Sequence, residues 1–128
     1  MDGMPKKKIL IVEDDIALAQ VYKDRLNIEG FSAVVAHDGE NALAVATKER
    51  PDLILLDVMM PKINGFDVLD ILKNTPETLN MPVVMISALA DEDNVVRAER
   101  MGAEDYMVKS QIAIDDVVNK IKDILGAN

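Results

Sequence analysis

Cysteine and tryptophan are absent from the 128 residues, and phenylalanine and tyrosine occur only twice each. Without cysteine there is no disulfide framework, no thiolate metal site and no cysteine nucleophile. The longest apolar runs span a few residues, far short of the ~20 that cross a bilayer, so no membrane segment is expected. Positive charge is scarce: 14 Lys and Arg face 23 Asp and Glu, for a net charge of −9. Nucleic-acid binders gain most of their affinity by neutralising phosphates, so this balance argues against a nucleic-acid partner. A glycine-rich phosphate loop after the first apolar run is also missing, which disfavours a nucleotide-binding module. Residues Met1–Lys8 carry three lysines but lead into a strand-like run rather than a signal-peptide core. What remains is an acidic, cytoplasmic chain the size of one domain, expected to span 1–128 with a core over about 6–125.

Short continuous apolar runs occur at Ile9–Val12, Ala33–Ala36, Leu53–Leu56, Val83–Ile86 and Tyr106–Val108. Continuous hydrophobicity suits strands covered on both faces, as in a parallel sheet. Helical spacing separates the runs. Leu18, Val21, Tyr22 and Leu26 mark the first helix, and Ile114, Val117, Val118, Ile121 and Leu125 mark the clearest one. Weaker patterns cover Ala42–Lys48, Phe66–Leu72 and Asn94–Met101, and Thr75–Asn80 reads as a polar loop. Gly30 and Gly102 end helices, while Pro51 and Pro82 stand just before strands. Five strand–helix units in strict alternation predict a doubly wound α/β fold with a five-stranded parallel sheet.

In such sheets ligands bind at the carboxyl ends of the strands. Glu13, Asp14 and Asp15 follow the first run, His37 and Asp38 the second, Asp57 the third, Ser87 the fourth and Lys109 the fifth. Clustered carboxylates repel one another, and one is driven to take up a proton unless a cation is present. A hard divalent ion, Mg²⁺ in particular, relieves that repulsion through oxygen ligands. With an ammonium and a small hydroxyl nearby, the edge is able to stabilise phosphoryl oxygens, and the Asp57 carboxylate could be a nucleophile. Alone, each residue has an ordinary reading: Asp15 as a helix N-cap, Ser87 as a turn residue, Lys109 as a solvated charge, and His37, the single histidine, as a loop side chain. It is their joint placement that points to a site.

Four motifs in order resemble a response-regulator receiver domain of two-component signalling: Ile9–Asp15, Leu55–Pro61 with Gly65, Ile86-Ser87-Ala88, and Gly102–Lys109. The resemblance implies a flavodoxin-like fold with strand order 2-1-3-4-5. It also implies that Asp57 is the phosphoacceptor, that Asp14 binds Mg²⁺ directly and Glu13 through water, and that the Met59 backbone carbonyl completes the protein's share of the metal shell. Lys109 would pair with the phosphoryl group, Ser87 would be the switch hydroxyl, and Tyr106 the aromatic whose rotamer follows it. The implied donor is a histidine kinase or phosphotransfer protein, and the implied output face is helix 4, strand 5 and helix 5, acting on a downstream protein target. Apolar Met59 and Leu89 are expected to flank the phosphoryl position and restrict water. The family usually has a proline with a cis bond after the lysine, whereas Ser110 follows Lys109 here. A trans bond with a shifted loop and a strained cis bond are both open outcomes.

Three functions compete. The first is a signalling module that turns over no independent substrate, either a stand-alone receiver or a receiver cut from a longer chain. The ending in Gly126-Ala127-Asn128 without a linker favours the stand-alone form. The second, a phosphatase or phosphotransferase working through an aspartyl phosphate, would place an acid two residues after the nucleophile, where Met59 stands. The third is a phosphorylation-independent interaction module. The full set of Glu13, Asp14, Asp57, Ser87 and Lys109 argues against it.

Overall fold

The computed structural model describes residues 5–126; Ala127 and Asn128, and with them the expected linker-free end, lie outside the described residues. Five strands, β1 (Lys8–Val12), β2 (Ser32–Ala36), β3 (Leu53–Asp57), β4 (Val83–Ser87) and β5 (Asp105–Val108), alternate with five helices. The helices are α1 (Ile16–Ile28), α2 (Gly39–Glu49), α3 (Gly65–Lys73), α4 (Glu92–Arg100) and α5 (Ile114–Leu125). All strand pairs are parallel and the order across the sheet is β2-β1-β3-β4-β5. Chain direction across the sheet therefore reverses beside β1, and β1 and β3 lie side by side with Val12 opposite Leu56.

The continuous apolar runs sort by parity, as a pleat requires. Leu10, Val12, Ile54, Leu56, Val83, Met85 and Tyr106 pack under α2, α3 and α4. Ile9, Ile11, Leu53, Leu55, Val84, Ile86 and Met107 pack under α1 and α5, against Tyr22, Leu26, Val117, Val118 and Ile121. Truncating one of these fully buried side chains, Leu56→Ala for instance, removes contacts on a helix-covered face and costs about 2–5 kcal/mol.

The helix starts follow the local chemistry. Asp15 caps α1, its carboxylate accepting from the Leu18 N–H at 3.0 Å, so its ordinary reading is the correct one. Asp38 caps α2 in the same way, and Asn64 and Asp67 cap α3 reciprocally. Gly30 and Gly102 take positive φ just past α1 and α4, as their positions in the sequence predict. One expectation is corrected: Val21 is 52% exposed, and Ala19 joins Tyr22 and Leu26 on the buried face of α1. The apolar stripe is narrower than the spacing suggests because a single small residue suffices where α1 approaches the sheet. The Thr75–Asn80 segment carries a buried polar anchor, since Thr78 donates its hydroxyl to the Leu72 carbonyl at 2.7 Å.

Candidate phosphoryl and metal site

The carboxyl ends of β1, β3, β4 and β5 bring the sequence-predicted residues to one edge. Glu13 and Asp57 are nearly buried, at 3% and 4% exposure, while Asp14 faces solvent. One carboxylate oxygen from each of Glu13, Asp14 and Asp57 lies within 4.8 Å of the others. The Lys109 ammonium reaches in from the end of β5, 2.9 Å from Glu13 Oε1 and 3.4 Å from Asp57 Oδ1. Glu13 is held at both oxygens, because its Oε2 accepts from the Asp15 N–H at 3.1 Å. Asp57 Oδ1 also accepts a long hydrogen bond, 3.4 Å, from the Met59 N–H.

Three carboxylates against one ammonium leave two negative charges uncompensated in a largely buried setting. Burial and the neighbouring Glu13 charge push the Asp57 carboxyl up to about 7, against the opposing pull of Lys109. Burial works against the charge of Lys109, but its hydrogen bond to Glu13 and the charge of Asp57 outweigh this and hold it above the usual lysine range. The donor set is all oxygen, the excess charge is that of one divalent cation, and one side of the cluster is open through Asp14. These residues fit a hard divalent metal. Asp14 and Asp57 are the side chains that would hold it, with Glu13 beside them.

The loop from Asp57 to Gly65 is fixed from both sides. The Val58 N–H donates to the Ile86 carbonyl at 3.0 Å, and the Gly65 N–H donates to the Val58 carbonyl at 2.8 Å. A Cβ at Gly65 would stand 2.7 Å from Val58 Cα and closer still to the Asp57 carbonyl oxygen, so only glycine allows α3 to start against the end of β3.

Ser87 is fully buried, and its Oγ accepts from the Leu89 N–H at 3.0 Å. Tyr106, 8% exposed, donates its hydroxyl to the Leu89 carbonyl at 2.9 Å. The bridging role of Leu89 is not signalled by its residue type, because both contacts use backbone atoms. His37 holds Nδ1 3.0 Å from the Glu13 carbonyl and takes no further part. Every peptide bond among the described residues is trans, which resolves the Lys109–Ser110 alternatives. The chain turns there into a short 3₁₀ segment, Lys109–Gln111, and the lysine still points at Asp57.

Comparison with known proteins agrees with this geometry. The family model described as "Response regulator receiver domain" matches residues 9–122. The chain is 48% identical over 102 residues to the transcriptional regulatory protein CpxR of Klebsiella pneumoniae, covering 80% of this chain and 42% of that one. It is 40% identical over 104 residues to the probable transcriptional regulator ycf27 of Cyanophora paradoxa, covering 81% and 42%. The chain thus spans about two fifths of the length of these relatives. Among solved structures, a CheY-like response regulator receiver domain protein from Methanospirillum hungatei superposes with a TM-score of 0.88 at 30% identity, covering 95% of each chain. Chemotaxis protein CheY4 of Vibrio cholerae superposes with a TM-score of 0.86 at 26% identity, covering 93% of this chain and 98% of that one. With its strand order, its acidic cluster and a family match over most of its length, the chain belongs to the response regulator receiver domains of two-component systems.

Proposed function

We propose that Asp57 accepts a phosphoryl group from a phosphohistidine on a histidine kinase or phosphotransfer protein, and that the resulting charge switches the α4–β5–α5 surface toward a downstream protein. The observation that carries this reading is the meeting of Asp57 with Lys109, Glu13 and Asp14 at one sheet edge. An Asp57 carboxylate oxygen attacks phosphorus in line, the new O–P bond forms, the P–N bond to the donor imidazole breaks, and the imidazole nitrogen leaves with that electron pair and takes a proton from solvent. Lys109 lies on the approach to Asp57 and offers its ammonium to the equatorial oxygens.

Asp14, Asp57 and the Met59 carbonyl would hold Mg²⁺, with Glu13 acting through water because both of its oxygens already accept protein hydrogen bonds. Bound Mg²⁺ supplies charge that favours the ionised form of Asp57 and stabilises the transferring oxygens. The Ser87 hydroxyl, at the end of β4, would turn to donate to the phosphoryl group and give up its bond from Leu89. Leu89 also holds the Tyr106 hydroxyl, so release of the first contact loosens the second. This is a local charge change acting on a two-state element.

Receiver domains are signalling modules, and this chain is read as one receiver unit with its core over about 6–125, acting in the cytoplasm through protein contacts. Among the described residues no helix is long and apolar enough to cross a membrane. The acidic surface, at net −9, does not suit a phosphate backbone. The complete acidic set with Lys109 tells against the phosphorylation-independent alternative. Intact mass after incubation with acetyl phosphate and Mg²⁺ tests the proposal. One added phosphoryl group that is lost with a chelator and in Asp57→Asn is expected; an unmodified chain with its fold intact would overturn it.

A further inference from the structure

A groove of about 500 Å³ opens between the β3–α3 loop and α4. Met59, Met60, Phe66 and Leu89 provide apolar wall, and Asn64, with Asn94 and Arg97 one helical turn apart on α4, provides polar groups. The volume falls within the range of small-molecule sites, and polar and apolar surface line the groove in nearly equal shares. Two of the walls are methionines, which adapt to an inserted shape and make favourable contacts with aromatic edges.

Arg97 is the informative residue. Its guanidinium carbon lies 4.2 Å from the Phe66 ring centroid, so the ring supports the guanidinium plane and limits its rotamers. Among the described residues the Arg97 side chain makes no ion pair and no side-chain hydrogen bond. Arg25, by contrast, is paired twice, with Glu29 and with Asp115. The exposed Arg97 thus presents a planar fork of N–H donors on the wall of the groove. A carboxylate takes such a fork in two parallel hydrogen bonds.

We propose that this groove binds a small planar aromatic carboxylate, its ring between Met59, Met60 and Leu89 and its carboxylate on Arg97. A small molecule is favoured over a protein surface because the groove, though open, is of limited volume and carries a single cationic grip. The groove borders the phosphoryl site, because Met59 and Leu89 line both. Its wall includes Leu89, whose backbone joins Ser87 and Tyr106, so an occupant would contact the segment that links those two hydroxyls.

The test is an amide NMR titration of the full unphosphorylated chain with 2-naphthoate, beside the neutral 2-naphthamide, repeated on Arg97→Gln and Arg97→Lys. A ligand of this size gripped at one end should bind with a Kd of roughly 0.1–1 mM. Saturable shifts centred on Met59, Leu89, Asn94 and Arg97 are expected. Affinity should fall about 10-fold or more in Arg97→Gln and for the neutral amide, and fall less in Arg97→Lys, which keeps the charge but not the fork. Shifts that do not saturate or that map elsewhere would overturn the proposal. So would equal affinity of the wild-type chain for naphthoate and naphthamide, an outcome that needs no variant to fold.

Discussion

The hydroxyls of Ser87 and Tyr106 are joined through one residue: Ser87 Oγ accepts from the Leu89 N–H at 3.0 Å, and Tyr106 donates to the Leu89 carbonyl at 2.9 Å. Ser87 ends β4 and Tyr106 lies in β5, so a single peptide segment of the β4–α4 loop reads the state of both.

Coupling between the two hydroxyls follows. Tyr106→Phe removes one neutral hydrogen bond and should cost about 1 kcal/mol; Ser87→Ala leaves the half-buried Leu89 N–H without its partner and should cost about 1 kcal/mol as well. Because both act on Leu89, the double variant should depart from additivity by about 0.5–1 kcal/mol in urea unfolding. Additive losses would show that Leu89 does not link them.

The crowding around Asp57 has a definite pH signature. Its carboxyl titrates at about 7 in the fold against 3.8 ordinarily, so between those values the folded chain holds more protons than the unfolded one. Stability from this group therefore falls as pH rises through that window. Relative to wild type, Asp57→Asn should be near neutral at the acid end and more stable by about 2 kcal/mol above it. Millimolar Mg²⁺ should shrink the difference, since a bound cation stabilises the ionised carboxylate. Urea unfolding at both ends of the window, with and without Mg²⁺, checks both statements. Parallel pH profiles for the two proteins would contradict them.

Lys109 holds two buried acids at once. Lys109→Met leaves Glu13 without its cation and should destabilise the metal-free fold by roughly 2–3 kcal/mol at the alkaline end of the same window. The loss should be smaller at the acid end, where Asp57 is protonated. A loss independent of pH would mean that the aliphatic stem, rather than the charge, is what matters.

Gly65→Ala forces a Cβ against the Asp57 carbonyl and Val58 Cα. The backbone cannot yield without moving the end of β3, so a cost of about 2–4 kcal/mol is expected, with slower phosphorylation of whatever remains folded. An alanine variant as stable as wild type would show that the α3 start has more room than the structure gives it.

Much of this was legible in the sequence because strand ends are marked by residue type. Four of the five apolar runs stop at a carboxylate, hydroxyl or lysine, and the second at His37 and Asp38; the alternation of units fixes which edge those residues share. Val21 was misread because helical spacing does not say how wide a stripe the sheet will cover. The Leu89 link and the double hold on Glu13 were invisible for another reason: each depends on backbone atoms, which carry no residue signal. The stacking of Arg97 on Phe66 joins the successive helices α3 and α4, and only the fold reveals it. Ser110 left the peptide geometry open, and the trans bond with Lys109 still aimed at Asp57 shows that the lysine is placed without a proline after it.

The central claim is that Asp57, and no other carboxylate of the acidic edge, carries the phosphoryl group. Borohydride reduction after treatment with acetyl phosphate and Mg²⁺ converts an aspartyl phosphate to homoserine, and tandem mass spectrometry then locates it. Homoserine at position 57 alone is the predicted result. Homoserine at Asp14, or at any other aspartate while Asp57 stays intact, would contradict the account.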